Sequence, residues 1–457
     1  MPRTSDQLRR DALAIWMAGL DAVRSDRLVR EHVRLSHGRL LCGPESIDLA
    51  GVGRILVVGA GKAGAGMAAG LETALGPGIL ADKHVSGWIH VPDNCVRKLS
   101  HVHLHAARPA GVNEPTQAGV DGARQMLRLA AALSPEDLCI ALISGGGSAL
   151  LPDPISGVSL ADKLAVTRFL SAAGAPIEHL NAVRKALSQI KGGGLARACG
   201  AGRLVTLVIS DVLGDPLEVI ASGPTVAERA SPEQAIALLE QYGAREAGIS
   251  PGVFEALARR EAQADGPIRC QVTNLVIGNN ATAVAGATAQ AQRLGYTASS
   301  ESARGSEGPA EEVGARLAAQ AQAMRAGPGA DALISGGEPT VRLVEESLRG
   351  KGGRNQQLVL AAAVHAGPKG AEGTLILSGG TDGEDGPTDA AGAWTDSERQ
   401  RAAQQLHLDG SEYLARNDAY HYFEPLEALI KTGPTDTNVC DVRVVLVDRV
   451  ATEAPSS

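Results

Sequence analysis

The stretch that most constrains this chain is Arg54-Ile-Leu-Val-Val-Gly-Ala-Gly-Lys-Ala-Gly64, an apolar run that breaks into glycines with one lysine among them. Ile55 to Val58 reads as a buried strand, and the alanine-rich stretch from Ala65 to Ala74 as the helix that follows it. Gly59, Gly61 and Gly64 supply the tight turn between them. The first N–H groups of the helix point back at that turn, which suits a phosphate. On spacing this is G-x-G-x-x-G after a strand, the dinucleotide fingerprint. A nicotinamide site also wants an acidic residue about 20 positions on, whereas the next strand, Val85 to Val91, ends later, near Asp93. Lys62 puts an ammonium inside the turn, where it can neutralise charge on a transferred phosphoryl group. The plain alternative is a structural βα turn with a solvated lysine.

Strand followed by Ser-Gly-Gly recurs along the chain. Leu138 to Ile143 runs into Ser144-Gly145-Gly146-Gly147-Ser148, Ala332 to Ile334 into Ser335-Gly336-Gly337-Glu338, and Thr374 to Leu377 into Ser378-Gly379-Gly380. Successive glycine amides at the carboxyl end of a parallel strand form an anion-binding concavity, and neighbouring hydroxyls add hydrogen bonds. Without a ligand the same loops are strand-to-helix turns. Helices are expected from about Leu160 to Ala173 and from Glu178 to Lys191; in the second, Arg184 and Lys191 share a face and can meet an acid's carboxylate or the surface. Leu204 to Ile209 ends in Ser210-Asp211, where a Mg²⁺-nucleotide enzyme places a carboxylate; capping the next turn is the competing role. Ala221-Ser-Gly-Pro-Thr225 follows soon after. Arg349-Gly-Lys-Gly-Gly-Arg-Asn-Gln-Gln357 sets Lys351 and Arg354 before a helix from Gln356 to Ala366, as a triphosphate grip. Asp382, Asp385 and Asp389 stud another glycine-rich loop, and Val442 to Val447 is a closing strand.

At 457 residues the chain is too long for one ordinary core. Two α/β domains are expected, 1–265 and 266–457, joined near Ala262 to Arg269, with amphipathic scaffold helices over residues 4 to 35. Fifty-five glycines against 2% aromatics point to turns and small-residue packing. A net charge of -8, with no basic cluster, argues against a nucleic-acid surface. The six cysteines lie apart without C-x-x-C pairing and read as buried reduced thiols. His101, His103 and His105 alternate along a polar strand rather than mark a metal site, having no carboxylate or cysteine at ligand spacing. With no apolar run near membrane-span length and no signal-like start, the cytoplasm is the expected location.

Gly59-Ala-Gly-Lys-Ala-Gly, Ser144-Gly-Gly-Gly-Ser-Ala-Leu, Asn181-Ala-Val-Arg-Lys, Lys191-Gly-Gly-Gly-Leu, Ser210-Asp-Val-Leu-Gly-Asp-Pro, Ala221-Ser-Gly-Pro-Thr, Ser335-Gly-Gly-Glu-Pro-Thr-Val, Gly353-Arg-Asn-Gln and Ser378-Gly-Gly-Thr-Asp-Gly-Glu-Asp occur in that order. Together they resemble the glycerate 2-kinase family, with a DUF4147 N-terminal domain and a MOFRL C-terminal domain. The resemblance covers nearly the whole chain. Pro339 departs from it, standing where a smaller residue or threonine is expected. It implies two Rossmann-like α/β domains with mostly parallel sheets and an active site in the cleft between them. It also implies transfer of the γ-phosphoryl group of ATP, with Mg²⁺, to the 2-hydroxyl of D-glycerate. The family's catalytic lysine and arginine fall on Lys62 and Arg354. Gly59, Gly61, Ser144, Gly145, Gly146, Gly147, Ser148, Arg184, Lys191, Gly336, Gly337, Glu338 and Asn355 are then the phosphate and substrate contacts, and Asp211 and Asp382 the metal candidates. An older family name, hydroxypyruvate reductase, goes with a nicotinamide cofactor, and a non-catalytic anion-binding protein is the third alternative. The oligomeric state is open, a homodimer among the options.

Overall fold

The computed structural model describes residues 3–112, 114–226, 231–262 and 266–449. The chain divides into two compact units, Ser25–Ile277 and a second that joins Met1–Arg24 to Gly278–Ser457.

The first unit begins with a small antiparallel sheet of β1 (Val33–Ser36), β2 (Arg39–Cys42) and β3 (Glu45–Asp48). Its main sheet holds β4 (Ile55–Ala60), β5 (Ser86–Pro92), β6 (Val102–Arg108), β7 (Leu138–Ile143), β8 (Arg203–Ile209) and β9 (Gln271–Gly278), in the order β6-β5-β4-β7-β8-β9. The pairings from β6 through β8 are all parallel. β4 and β7 are buried at every position, which explains their unbroken apolar runs. The helices Leu160–Ala172, Ile177–Ala186, Pro232–Gln241 and Pro251–Ala262 share a separate apolar core that includes Val166, Leu170, Val183, Leu239 and Leu257.

In the second unit β10 (Ala298–Ser302), β11 (Ala332–Gly337), β12 (Thr374–Gly380), β13 (Gly392–Asp396), β14 (Leu429–Ile430) and β15 (Asp441–Val447) form a sheet in the order β10-β11-β15-β12-β13-β14. Only β10 and β11 pair in parallel, so the expectation of a mostly parallel sheet is corrected here. The cause is β15, which inserts between β11 and β12 and runs against both. A strand buried on both faces has the same apolar run in either direction, so its sense is not written in its composition.

The domain boundary also shifts. The helix Ser5–Ala22, capped by Thr4, buries Leu8, Ala12, Ile15, Trp16 and Leu20 against the second unit, where it packs on the helix Asn280–Arg293 and on β12 and β15. Gly19 and Gly286 let the two helices close: a Cβ on Gly19 would stand 2.9 Å from the Ala283 carbonyl oxygen. β9 instead completes the sheet of the first unit, and of the expected join residues 263–265 lie outside the described residues. No described helix is long and apolar enough to cross a membrane.

Candidate active site

In the first unit the strand order reverses between β4 and β7, with β5 and β6 on one side and β8 and β9 on the other. The crevice beyond the carboxyl ends of two such neighbours is where open α/β sheets bind ligands. Those ends carry the two loops singled out in the sequence, Gly59–Gly64 and Ser144–Ser148.

The loops interlock. Lys62 N donates to the Gly145 carbonyl at 2.9 Å, Ala63 N to Ser144 Oγ at 3.1 Å, and Ser144 N to the Ala60 carbonyl at 3.0 Å. Gly61 N reaches the His90 carbonyl and Gly64 N the Gly61 carbonyl, each at 3.1 Å. Because all four amides from Gly61 to Gly64 are engaged, the turn is not the open pyrophosphate cradle that the dinucleotide fingerprint requires. Gly59 and Gly61 are there for close approach, since a Cβ on either would overlap Leu142 or Ser144 of the neighbouring strand end. Asp93, just past β5, accepts from Ala110 N at 2.8 Å. The Lys62 side chain leaves the turn toward the second loop. Its stem runs beside Gly146, where a Cβ would stand 3.5 Å from both Lys62 Cγ and Arg108 Nη2.

Gly146 takes a left-handed φ of 75° and donates its N–H to Asp211 Oδ2 at 3.2 Å, so a carboxylate of the chain already occupies one amide of the expected anion nest. Gly146, Gly147, Ser148, Arg184, Lys191 and Asp211 line one cavity of about 410 Å³, together with Lys163. Ser148 is its hub: Arg184 Nη2 donates to Ser148 Oγ at 2.9 Å, and Lys191 Nζ donates to the same Oγ and to the Ser148 carbonyl, both at 2.7 Å. The helix stops at Ala186, so Arg184 and Lys191 do not share a helical face as expected; the chain turns back and they meet at Ser148. Lys163 Nζ donates to the Pro152 carbonyl at 3.3 Å.

Burial, and after it the charge of Arg184, pushes Lys163 down to about 7. Burial and the charges of Arg184 and Lys163 hold Lys191 well below the ordinary lysine value, and burial also lowers Arg184. Among the described residues no carboxylate forms an ion pair with any of the three; Asp153, the acidic group acting on Lys163, pairs with Arg124 at 3.0 Å. Crowded buried cations without a counter-ion are costly, and an anion entering the cavity relieves that cost.

The second unit builds a different site at the sheet edge where β15 begins. Asp441 stands in register with Gly337 and Gly380, the last residues of β11 and β12. Arg354, first residue of the helix Arg354–Gly370, donates from Nε to Asp441 Oδ2 at 2.7 Å and from Nη2 to Oδ1 at 2.9 Å, while Nη1 lies 3.1 Å from Glu338 Oε1. Burial disfavours the guanidinium charge, but Asp441 and Glu338 outweigh it and hold Arg354 well above the usual arginine value. Burial raises the Glu338 carboxyl against the pull of Arg354, and the charges of Asp441 and Asp382 add to the rise.

The expected triphosphate grip is not assembled. The amides of Asn355 and Gln356 donate to Asp385, at 3.0 and 2.9 Å, so the helix N-terminus is answered from within the chain. Lys351 lies with Nζ 4.0 Å from the Tyr420 ring centre rather than beside Arg354. Burial pushes Asp385 up to about 6 despite its two amide donors. Asn355 Nδ2 bridges Asp385 and Asp441, and its Oδ1 accepts from Ser378 Oγ. Gly336 and Gly337 lie within β11 rather than in a loop after it, and the side chains of Asn280 and Glu307 fill the space beside them. Arg354, Glu338 and Pro339 border a cavity of about 590 Å³. Asp382 accepts from Glu384 N at 3.1 Å.

Asp211 and Asp382 thus lie in different units, and among the described residues no group of three or more His, Cys, Asp or Glu can hold a metal ion. Sequence reasoning missed Lys163 and Asp441. The one signal for Lys163 was its place in the first turn of a helix opened by the Ser159–Asp162 capping box, beside the Ser144–Ser148 motif in chain order.

The chain matches a family described as a domain of unknown function, DUF4147, over residues 11–258, and the MOFRL family over residues 331–441. A glycerate kinase from Rattus norvegicus is 39% identical over 448 residues, covering 86% of this chain and 84% of that protein. An Agrobacterium vitis protein named "Putative hydroxypyruvate reductase" is 39% identical over 402 residues, covering 87% of this chain and 100% of that one. The crystal structure of a glycerate kinase from Thermotoga maritima covers 97% of this chain and is itself covered fully, with 33% identity and a TM-score of 0.81. Two glycine-loop sites on two α/β units, and relatives that share the chain almost end to end, lead to one statement: this chain belongs to the glycerate kinase family, built from a DUF4147 domain and a MOFRL domain.

Proposed function

We propose that this chain is an ATP-dependent glycerate 2-kinase, moving the γ-phosphoryl group of ATP to the 2-hydroxyl of D-glycerate and releasing 2-phosphoglycerate and ADP. The observation that carries the reading is the Ser148 cluster, where Lys163, Arg184 and Lys191 converge in a cavity of about 410 Å³ and, among the described residues, none of the three is ion-paired to a carboxylate. A small cavity with fixed donors suits an acid of a few carbons, and its carboxylate supplies the missing negative charge. Lys62, whose stem runs beside Gly146, is the donor to charge developing on the transferred phosphoryl group, and Arg354 is the second. Phosphoryl transfer asks mainly for positioning and neutralisation, which these side chains provide without a covalent step.

Mg²⁺ keeps several waters and is held by one or two carboxylates beside nucleotide phosphates rather than by a protein cage. Single carboxylates such as Asp211 and Asp382 fit that mode, and the ion when bound neutralises the nucleotide phosphates. A nicotinamide-dependent reductase is disfavoured by the engaged amides of Gly61 to Gly64. The test is ADP release with D-glycerate as acceptor, followed by phosphorus NMR of the product. Phosphate on the 3-oxygen, or nicotinamide oxidation by hydroxypyruvate without ADP release, overturns the proposal.

A further inference from the structure

The segment Ala221-Ser-Gly-Pro-Thr225, after β8, has an unusual backbone. Ala221, Ser222 and Gly223 take left-handed φ values of 50°, 63° and 59° in succession. L-residues such as Ala221 and Ser222 adopt that region only when their surroundings compel it, and such strain gathers at functional sites. Here the surroundings do compel it. Gly192 N donates to the Ser222 carbonyl at 2.9 Å and Gly193 N to the Gly223 carbonyl at 2.8 Å, which fastens the run to the turn that carries Lys191. Thr225 Oγ1 donates to Asn274 Oδ1 at 2.7 Å, which pins the other end to β9.

The run delivers one group to the cavity hub. Ser222, only 2% exposed, sets its Oγ 2.9 Å from Ser148 Oγ. A serine hydroxyl has two lone pairs and one proton. With an anion in the cavity Lys191 is charged and can only donate, so Arg184 and Lys191 take both lone pairs of Ser148 Oγ. The proton then has one destination, Ser222 Oγ.

We propose that Ser222 is a positioning residue for substrate capture: by accepting the Ser148 hydroxyl proton it aims both Ser148 lone pairs at Arg184 and Lys191 and fixes those cations for the acid's carboxylate. This rests on the reading of the Ser148 cavity as the acid site. It also means that the Ser148 hydroxyl is fully committed inside the protein and is neither a nucleophile nor a phosphoryl acceptor.

Ser222→Gly separates the hydroxyl from the strain, because glycine is at ease with a left-handed φ but carries no acceptor. Ser222→Gly and Ser222→Ala should each raise KM for D-glycerate by about tenfold, the effect of one lost hydrogen bond on ground-state binding, with kcat within about twofold. In a Ser148→Ala background Ser222→Gly should add nothing further, since its partner is already gone. A merely structural role predicts the reverse pattern: Ser222→Gly like wild type, and Ser222→Ala less stable with both constants shifted. The same proteins are titrated with inorganic phosphate by calorimetry, which reads the cation cluster without turnover. If wild type fails to phosphorylate glycerate the functional reading falls, while about tenfold weaker phosphate binding by Ser222→Gly still upholds the positioning role. Equal KM or equal phosphate affinity in wild type and Ser222→Gly overturns it, and so does a wild-type protein that binds neither anion.

Discussion

Asp441 receives Arg354 through both carboxylate oxygens, a fork-to-fork pair with N–O distances of 2.7 and 2.9 Å that fixes the plane of the guanidinium. The Asp441 side chain is fully buried, whereas that of Arg354 is 31% exposed, so the pair anchors one edge of the guanidinium and leaves Nη1 on Glu338. Asp441→Asn keeps the volume and loses the charge. It should lower kcat about 100-fold through misorientation of Arg354 and cost about 1–3 kcal/mol of stability. Arg354→Lys should resemble it, because a lysine cannot fork. Steady-state ADP release and urea unfolding measure the two effects; a well-folded Asp441→Asn with wild-type kcat would separate this pair from catalysis.

Lys62→Ala should lower kcat by roughly two to three orders of magnitude, as removal of a preorganised donor to transition-state charge does. The turn itself is held by backbone bonds from Lys62 N and Ala63 N that the substitution leaves in place, so the melting temperature should barely move. If Lys62 and Arg354 act on one transition state, the double alanine variant loses less than the sum of the single losses. Strict additivity would argue for separate steps.

The folded value of about 7 at Lys163 lies below the 10.5 of an ordinary lysine, so between those values the unfolded chain holds a proton on this amine that the folded chain does not. Stability of the ligand-free protein should therefore rise as pH climbs through that window; below it both states are protonated and the full burial penalty stands. Lys163→Met should be more stable than wild type near pH 7, and the advantage should shrink toward pH 10.5. Denaturant midpoints across this range provide the check. A wild-type curve that falls with rising pH, with Lys163→Met unchanged beside it, would contradict the assignment.

Trp16 is 1% exposed and its Nε1 donates to the Gly379 carbonyl at 3.2 Å, behind the loop that carries Asp382 and Asp385. Trp16→Ala should cost about 3–5 kcal/mol, the usual range for emptying a buried indole site. Limited proteolysis should then find new cuts between residues 278 and 449 before any appear within 25–277. Cuts confined to the first unit would show that the helix does not stabilise the second.

Much of the first unit was legible because its strands are buried on both faces. Leu138 to Ile143 agrees with β7 at both ends, and the two loops of the site follow β4 and β7 as expected. The small sheet was not, because β1, β2 and β3 have four residues each, too few for a period to emerge; only the turns at Gly38 and Gly43 mark it. The Ser144–Ser148 loop does border a cavity, yet glycines do not say whether their amides are answered from within. Asp211 answers Gly146 from 65 residues away and Asp385 answers Asn355 from 30, and neither contact leaves a local trace. Asp441 directly precedes the expected strand Val442 to Val447, and nothing in the sequence marks the register with Gly337 and Gly380 that sets it against Arg354.

The helix Ser5–Ala22 belongs to a unit whose central strand ends at Val447, 447 − 22 = 425 residues later in the chain. At ribosomal speeds of about 5–20 residues per second, its apolar stripe waits roughly 20 to 85 s for the sheet that will cover it. During that interval Ser25–Ile277 can fold while the apolar stripe of the helix stays uncovered. Chaperone demand during synthesis should therefore track the hydrophobicity of Leu8, Ile15 and Trp16 rather than that of the first unit's core, and a fragment matched to residues 331–441 alone starts life without its own lid.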